Sequence, residues 1–393
     1  MDVDRLISDR SRALDASGIR KVFELGATMQ NPINLSIGQP DFAVPEPIRQ
    51  AAVDAIERGD NGYSMTHGVA PLRRRIIEHL REDLGWPDDL GAPDASAGVT
   101  VTSGTSGALF LAMMALLSPG DEIIIPDPYF VAYPHMPALA GGRAVCCDTY
   151  PDFRMTAERI EPLITSRTKA VLIDSPANPT GVVMSTQECR DVLELCRAKG
   201  VLLISDEIYD AFTFADHRAQ TASGMKAPSP AREAGAHEDV LVIRGFGKTY
   251  GCTGWRMGYA AGPARVVAEI TKLQQYTYVC SPTPLQHACI GAFDVDMEET
   301  VSRFQRRRDM ALERLGAVTN VPMPGGAFYA FVEIPEGLGI SGQELFHRAV
   351  ERNVLVIPGG FFSERDTHIR LSLAAPEDRL AEGLDILADL MGG

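Results

Sequence analysis

Short apolar runs alternate with longer amphipathic stretches through the middle of the chain, and each run stops at polar residues. The clearest are AVLI at 170–173, leading into DSPANPTG at 174–181, VLLI at 201–204, leading into SDE, and VLVI at 240–243, leading into RGFGK. Such runs, bounded by polar and turn-forming residues, read as buried strands. Strands alternating with helical stretches predict a parallel α/β sheet. In open sheets of this kind, ligands bind beyond the carboxyl ends of the strands. Asn178, Asp206 and Lys248 are far apart in sequence but are expected at one edge of one sheet. An amide, a carboxylate and an amine converging there predict a chemical site.

The pattern changes towards the C-terminus. Residues 297–315 form an Arg-rich helical stretch, followed by short strands around 327–333 and 368–373. This reads as a second, smaller α+β domain. Segments 85–98 and 223–238, rich in Gly, Pro, Ala and Asp, read as loops. The basic run of Arg303 with Arg306, Arg307 and Arg308 reads as a solvated helix face.

Composition narrows the classes. With 393 residues, 45% hydrophobic and 23% charged, the chain can bury a sizeable core, which excludes a disordered or fibrous protein. At roughly 100–200 residues per domain, two to three structural units are expected. The balance of 37 Lys+Arg against 52 Asp+Glu gives a net charge of −15 and argues against a nucleic-acid partner. The longest strongly apolar run, 108–117, is too short to span a bilayer, so no membrane partner is expected. The opening MDVDRLISDRSR lacks the apolar stretch of a signal peptide. The seven cysteines include no CxxC pair and no neighbouring His ligands. The expectation is a cytoplasmic protein with reduced thiols, no metal site and no structural disulfide.

Two glycine-rich turns invite comparison. In VTVTSGTSGA at 99–108, a strand runs into a turn and then an apolar helix. Backbone N–H groups at Gly104, Thr105 and Ser106, with the two hydroxyls, would suit a phosphate, although an ordinary helix cap has the same appearance. GFGKTYG at 245–251 imitates a dinucleotide-binding turn, with Glu269 where a ribose-binding acid would sit, but its third glycine falls one residue late. Val242 occupies the first glycine position of a Walker A loop, so that reading also fails. Lys248 could form a Schiff base if desolvation or neighbouring cations lower its pKa. Taken singly, Lys248, Asp206 and Arg370 also have plain readings as a surface lysine, a strand-end cap and a surface ion pair. Together with the phosphate turn, they are the parts required to hold pyridoxal phosphate and an amino acid.

The motifs then carry a resemblance. They are SIGQPDF at 36–42, GYSMTHGVAPLR at 62–73, TSGTSGALF at 102–110, PDPYFVAY at 126–133, SPANPTG at 175–181, SDEIYDAF at 205–212, FGKTYGCTGWRMGY at 246–259 and HIRLSLA at 368–374. In order and spacing the chain resembles a class I/II aminotransferase of the fold-type-I, pyridoxal-phosphate-dependent superfamily, in its aspartate and aromatic aminotransferase branch. The resemblance covers about residues 34–374. It implies a large cofactor-binding domain over 46–295, with a mostly parallel seven-stranded sheet. Residues 1–45 and 296–393 would form the small α+β domain.

The resemblance also implies roles. Lys248 is similar to the lysine that carries the cofactor covalently and later moves the substrate proton. Asp206 matches the carboxylate paired with the pyridine nitrogen. Asn178 and Tyr209 match the pair that hydrogen-bonds the phenolic oxygen, with Asn178 also beside the substrate. Gly104, Thr105, Ser106 and Arg256 match the phosphate cup. Phe130 falls where a ring stacks on the pyridine, with Tyr129 as the other candidate. Arg370 matches the clamp for the substrate α-carboxylate, and the backbone at Gly38 would close over it. Tyr63 matches a tyrosine that reaches the phosphate of a neighbouring subunit, which implies a homodimer with shared active sites.

Two positions depart from the family pattern. Gly245 stands where a small hydroxyl residue is usual, which removes one phosphate hydrogen bond. The PGSxFG signature appears as PGGFFS at 358–363. The implied activity is transfer of an amino group from an L-amino acid to a 2-oxo acid, with ping-pong kinetics. The alternatives are a lyase or cyclising enzyme on the same scaffold, and a cofactor-binding transcription regulator. The regulator would need a DNA-binding segment ahead of the motifs, which begin at Ser36.

Overall fold

The computed structural model describes residues 1–14 and 18–392. Its centre is a seven-stranded sheet: β1 (Ala97–Ser103), β2 (Glu122–Asp127), β3 (Arg143–Asp148), β4 (Thr168–Asp174), β5 (Leu202–Asp206), β6 (Val240–Gly245) and β7 (Met257–Pro263). The spatial order is β1-β7-β6-β5-β4-β2-β3. Strand β7 runs antiparallel to both its neighbours, and the remaining pairs are parallel.

The apolar runs form central strands because both of their faces are covered. Along β4, Val171 and Ile173 enter one buried cluster while Ala170 and Leu172 enter another. Val240 and Val242 of β6 divide from Leu241 and Ile243 in the same way. Side chains alternate across a strand, so a continuous apolar run is what a sheet covered on both sides requires.

A second sheet holds the C-terminal part: β8 (Tyr329–Glu333), β9 (Ile357–Pro358) and β10 (His368–Ser372), antiparallel in the order β8-β10-β9. The N-terminal segment joins this part, since Ile33–Asn34 pairs in parallel with Val354–Leu355. Val22, Ile33 and Leu35 share their buried cluster with Phe331, Leu371 and Leu384.

Two expectations need correction. The basic run lies on the helix Glu298–Leu315, but Arg307 and Arg308 are buried. Arg307 binds both oxygens of Asp41 at 3.0 and 2.8 Å and sits 5.0 Å from the Phe304 ring centroid. Arg308 pairs with Asp216 at 2.8 Å and donates to the Pro324 carbonyl. Carboxylate and carbonyl partners of this kind offset the cost of burying a guanidinium. Segment 223–238 is also more than a loop. Gly224–Lys226 pairs with Ala219–Thr221, and the short turns Pro230–Arg232 and Ala236–Glu238 bury Ala231 and Ala236. Trp86, within the expected loop 85–98, is buried and donates its indole N–H to the Ala231 carbonyl at 2.7 Å.

Candidate active site

Four neighbouring parallel strands, β3, β2, β4 and β5, each end on an aspartate. Beyond these ends, a cavity of about 400 Å³ opens between the large sheet and the β8–β10 sheet. Asn178, Asp206, Tyr209 and Lys248 all line it, reached from three different strands. Gly38, Phe130 and Arg370 line it from other sides. Tyr129 does not belong to the lining; its backbone N–H donates to the Phe362 carbonyl at 2.8 Å.

Asp206 occupies the floor. Its carboxylate accepts from the Tyr133 hydroxyl at 2.9 Å and from the Ile208 N–H at 3.3 Å. Burial pushes its carboxyl up to about 6, while the Tyr133 and Ile208 hydrogen bonds favour the anion. Tyr133 itself is fully enclosed, and burial raises its phenol well above the ordinary value.

Lys248 lies on a short helical turn, Phe246–Thr249, directly after β6. Its ammonium donates to the Gly38 carbonyl and lies 5.8 and 5.7 Å from the Tyr209 and Phe328 rings. Burial lowers its pKa, and the cations Arg370 and Arg256 add to the effect, with Tyr329 acting against them. A depressed amine is the condition a lysine nucleophile needs.

Gly104, Thr105 and Ser106 begin the 13-residue helix Gly104–Leu116, whose N-terminus faces the cavity. Gly104 has φ of 69°, and a Cβ there would meet the Arg256 guanidinium at 2.6 Å. Arg256 donates to the Thr253 carbonyl and has no carboxylate partner among the described residues. Free helix-start N–H groups and an unpaired guanidinium form an anion cradle. Gly245 also has a local reason: a Cβ there would lie 2.9 Å from Ile208, 3.1 Å from the Met257 carbonyl and 3.1 Å from the Thr105 methyl. A larger residue there would need the Ile208 methyl and its neighbours to give way.

Arg370 stands mid-strand in β10, opposite Phe331 and Ile357. Its guanidinium donates to the Asn178 Oδ1 at 3.1 Å and to the Ser36 carbonyl at 2.9 Å. It lies 4.5 Å from the Tyr329 ring and 4.7 Å from that of Phe362, a residue of the altered PGGFFS stretch. Its Nε is buried without a partner, and no described carboxylate neutralises it. Burial lowers its pKa.

Tyr63 is the one expected site residue that stands apart. It is 88% exposed and lines no part of the cavity. Conversely, Tyr133, Tyr329 and Asp174 belong to the site without having been singled out. Tyr133 sits three residues after Phe130 in PDPYFVAY, where that spacing was the available signal. Tyr329 bonds the Tyr209 hydroxyl at 3.0 Å, a contact across 120 residues that no local pattern announces.

Comparison with known proteins decides the family. The pattern of the family "Aminotransferase class I and II" matches residues 30–387. The chain belongs to this family. A putative aminotransferase, YugH, of Bacillus subtilis is 36% identical over 390 residues, covering 96% of both chains. An aspartate aminotransferase of Pyrococcus abyssi is 32% identical over 390 residues, with 96% of each chain covered. Among solved structures, the aspartate aminotransferase from Thermus thermophilus with maleate superimposes with a TM-score of 0.88 at 31% identity, covering 98% of this chain and 99% of that one. The aromatic aminotransferase from Pyrococcus horikoshii gives 0.84 at 30% identity, covering 95% and 98%. The protein is an aminotransferase on the fold those enzymes share.

Proposed function

We propose that the cavity binds pyridoxal 5′-phosphate and moves an amino group from an L-amino acid to a 2-oxo acid in two half-reactions. The observation that carries this reading is Arg370, a buried guanidinium with an unpartnered Nε and no carboxylate of its own. A substrate carboxylate would supply the missing partner in the paired geometry that guanidinium favours.

The residues fit the cofactor. When bound, it supplies an electron-accepting ring for the Cα–H bond of the substrate. The Asp206 carboxylate would pair with the ring nitrogen and favour its protonated form. Tyr209 and the amide NH₂ of Asn178 donate to the phenolic oxygen; the Asn178 Oδ1 is already engaged by Arg370. Phe130, in the cavity lining, would cover one face of the ring. The N–H groups of Gly104, Thr105 and Ser106, with Arg256, hold the phosphate. Lys248 would hold the cofactor through its amine, and that amine, once free, would take the proton from the substrate Cα. The Gly38 backbone, already bonded to Lys248, closes the carboxylate end.

The cavity also supports a substrate class. Its three cations, Lys248, Arg256 and Arg370, each have a task in this reading, and Ser106 occupies the cup position where a distal lysine would stand. Ile19 and Phe23 of the helix Gly18–Thr28, with Ile37 and Val131, offer apolar surface instead. Neutral or aromatic donors are the fitting substrates.

The rest of the reading concerns architecture. Residues 46–295 act as the large cofactor-binding domain, with 1–45 and 296–393 as the small one. A cytoplasmic homodimer is supported by seven free cysteines and by an exposed patch around Tyr63. There Thr283 donates to the Gly62 carbonyl and Gln274 to that of Thr66, and Met65, Tyr276 and Tyr278, next to these residues in the chain, are exposed. Among the described residues, no helix is long and apolar enough to cross a membrane.

A single half-reaction tests the function. With one amino donor and no oxo acid, each site should release one equivalent of the matching 2-oxo acid and retain pyridoxamine phosphate. Lys248→Ala should lose at least the roughly 10²–10⁴-fold that a general base contributes. Near-normal turnover in that variant, or expulsion of a side-chain substituent in place of oxo-acid release, would refute the reading.

A further inference from the structure

Asp174 closes β4 beside Asp206 at the end of β5, and their Cα positions are register partners. Register partners send their side chains to the same face, and both residues line the cavity. The functional reading uses Asp206 and leaves Asp174 without a task.

The pair has no cation of its own among the described residues. Asp174 accepts from the Asn178 N–H at 3.1 Å, whereas Asp206 accepts from both Tyr133 and Ile208. Tyr133 and Tyr209, the phenols nearest the pair, are held neutral by burial. Lys248 and Arg370 line the cavity but point their polar atoms at Gly38, Asn178 and Ser36. Behind Asp174, a small void lined by Thr149, Phe153, Met155 and Thr180 offers no other charged side chain.

Two desolvated carboxyls without a cation cannot both ionise cheaply, and they titrate as a pair. Hydrogen bonds decide which of them keeps the proton. The Tyr133 hydroxyl at 2.9 Å and the Ile208 N–H stabilise the Asp206 anion, whereas Asp174 is met by backbone N–H groups alone, those of Asn178 and of Asp174 itself. Burial, reinforced by the Asp206 charge, pushes the Asp174 carboxyl up to about 8. We propose that Asp174 is a positioning residue that holds the proton of this carboxyl pair, leaving Asp206 as the single anion facing the cofactor's ring nitrogen. The inference rests on the role given to Asp206, but its test reads the carboxyls themselves, whatever the turnover.

The test is infrared difference spectroscopy of the full-length protein, as purified and freed of cofactor. A protonated carboxylic-acid band should be present at neutral pH and disappear as pH rises through about 8 in the cofactor-free protein. Asp174→Asn, which keeps an acceptor for the Asn178 N–H, should abolish that band in the cofactor-free protein. Asp206→Asn removes the neighbouring anion, so the band of the native Asp174 should persist but titrate at lower pH. That second variant decides the matter even if Asp174→Asn fails to fold. A band that survives Asp174→Asn but vanishes in Asp206→Asn would place the proton on Asp206 and overturn the proposal. So would a neutral-pH spectrum with no acid band sensitive to either substitution.

Discussion

Two arginines, Arg244 and Arg370, are buried to the same degree, with 2% and 3% of their surface exposed, yet their surroundings are opposite. Arg244, on β6, binds Glu207 through two nitrogens at 2.9 and 2.7 Å, Asp83 at 2.8 Å and Asp210 at 3.3 Å. Burial opposes its charge, but the three carboxylates raise its pKa well above the ordinary value. Among the described residues Arg370 meets an amide oxygen, a carbonyl and two aromatic faces but no carboxylate, and burial lowers its pKa. A charge neutralised by its own chain belongs to the scaffold. A charge buried without a counter-ion marks the place where a ligand must bring one.

The contrast breaks first on stability. Arg244→Met would leave Glu207, Asp83 and Asp210 without their shared cation. Removing one partner of a buried pair costs about 3–5 kcal/mol. Urea unfolding should show that loss as a lower midpoint, while KM for the amino donor stays unchanged below the transition. A variant of native stability would mean that the carboxylates shed their charge without penalty.

The second effect concerns Arg256, the cation proposed to hold the phosphate, and whether a neighbouring chain helps it. Tyr63→Ala should weaken phosphate binding by about 1.5–3 kcal/mol, the range for a hydrogen bond to a charged group. If each chain completes its neighbour's site as proposed, one site in a hybrid of Tyr63→Ala with Lys248→Ala would collect both defects and the other would recover both residues. Doubly tagged hybrids should regain close to half of wild-type activity at limiting cofactor. A hybrid no better than the mean of its parents would confine the site to one chain.

The smallest effect is on substrate choice. With no fourth cation lining the cavity among the described residues, neutral or aromatic donors should match or exceed aspartate in kcat/KM. A panel of donors checks this, and aspartate outrunning every neutral donor by orders of magnitude would contradict it.

The same contrast explains what could be read from the sequence. Asn178, Asp206 and Lys248 were legible because each follows an apolar run, and a buried strand must end where polarity begins. The fold was legible for the same reason, since β4, β5 and β6 are apolar on both faces. Arg307 and Arg308 were misread, because a charge on a helix is assigned to solvent unless its partner is known. Their partners, Asp41 and Asp216, lie 266 and 92 residues away. Asp174 was visible at a strand end, but only the pairing of β4 with β5 places it beside Asp206. Trp86 shows the limit for loops: Gly- and Pro-rich composition marks turns without telling which apolar residue between them is buried.

The central claim is that Arg370 is an unfilled cation awaiting a substrate carboxylate. Replacing it by leucine and measuring substrate kinetics and thermal stability on the same preparation tests that claim most directly. Arg370→Leu should lose about 2–5 kcal/mol of transition-state binding, the range for truncating one partner of a buried charge pair. Its stability should hold or rise, because an unpaired buried charge has been removed. Unfolding at lower temperature with near-normal kcat/KM would contradict the account and place Arg370 in the scaffold beside Arg244.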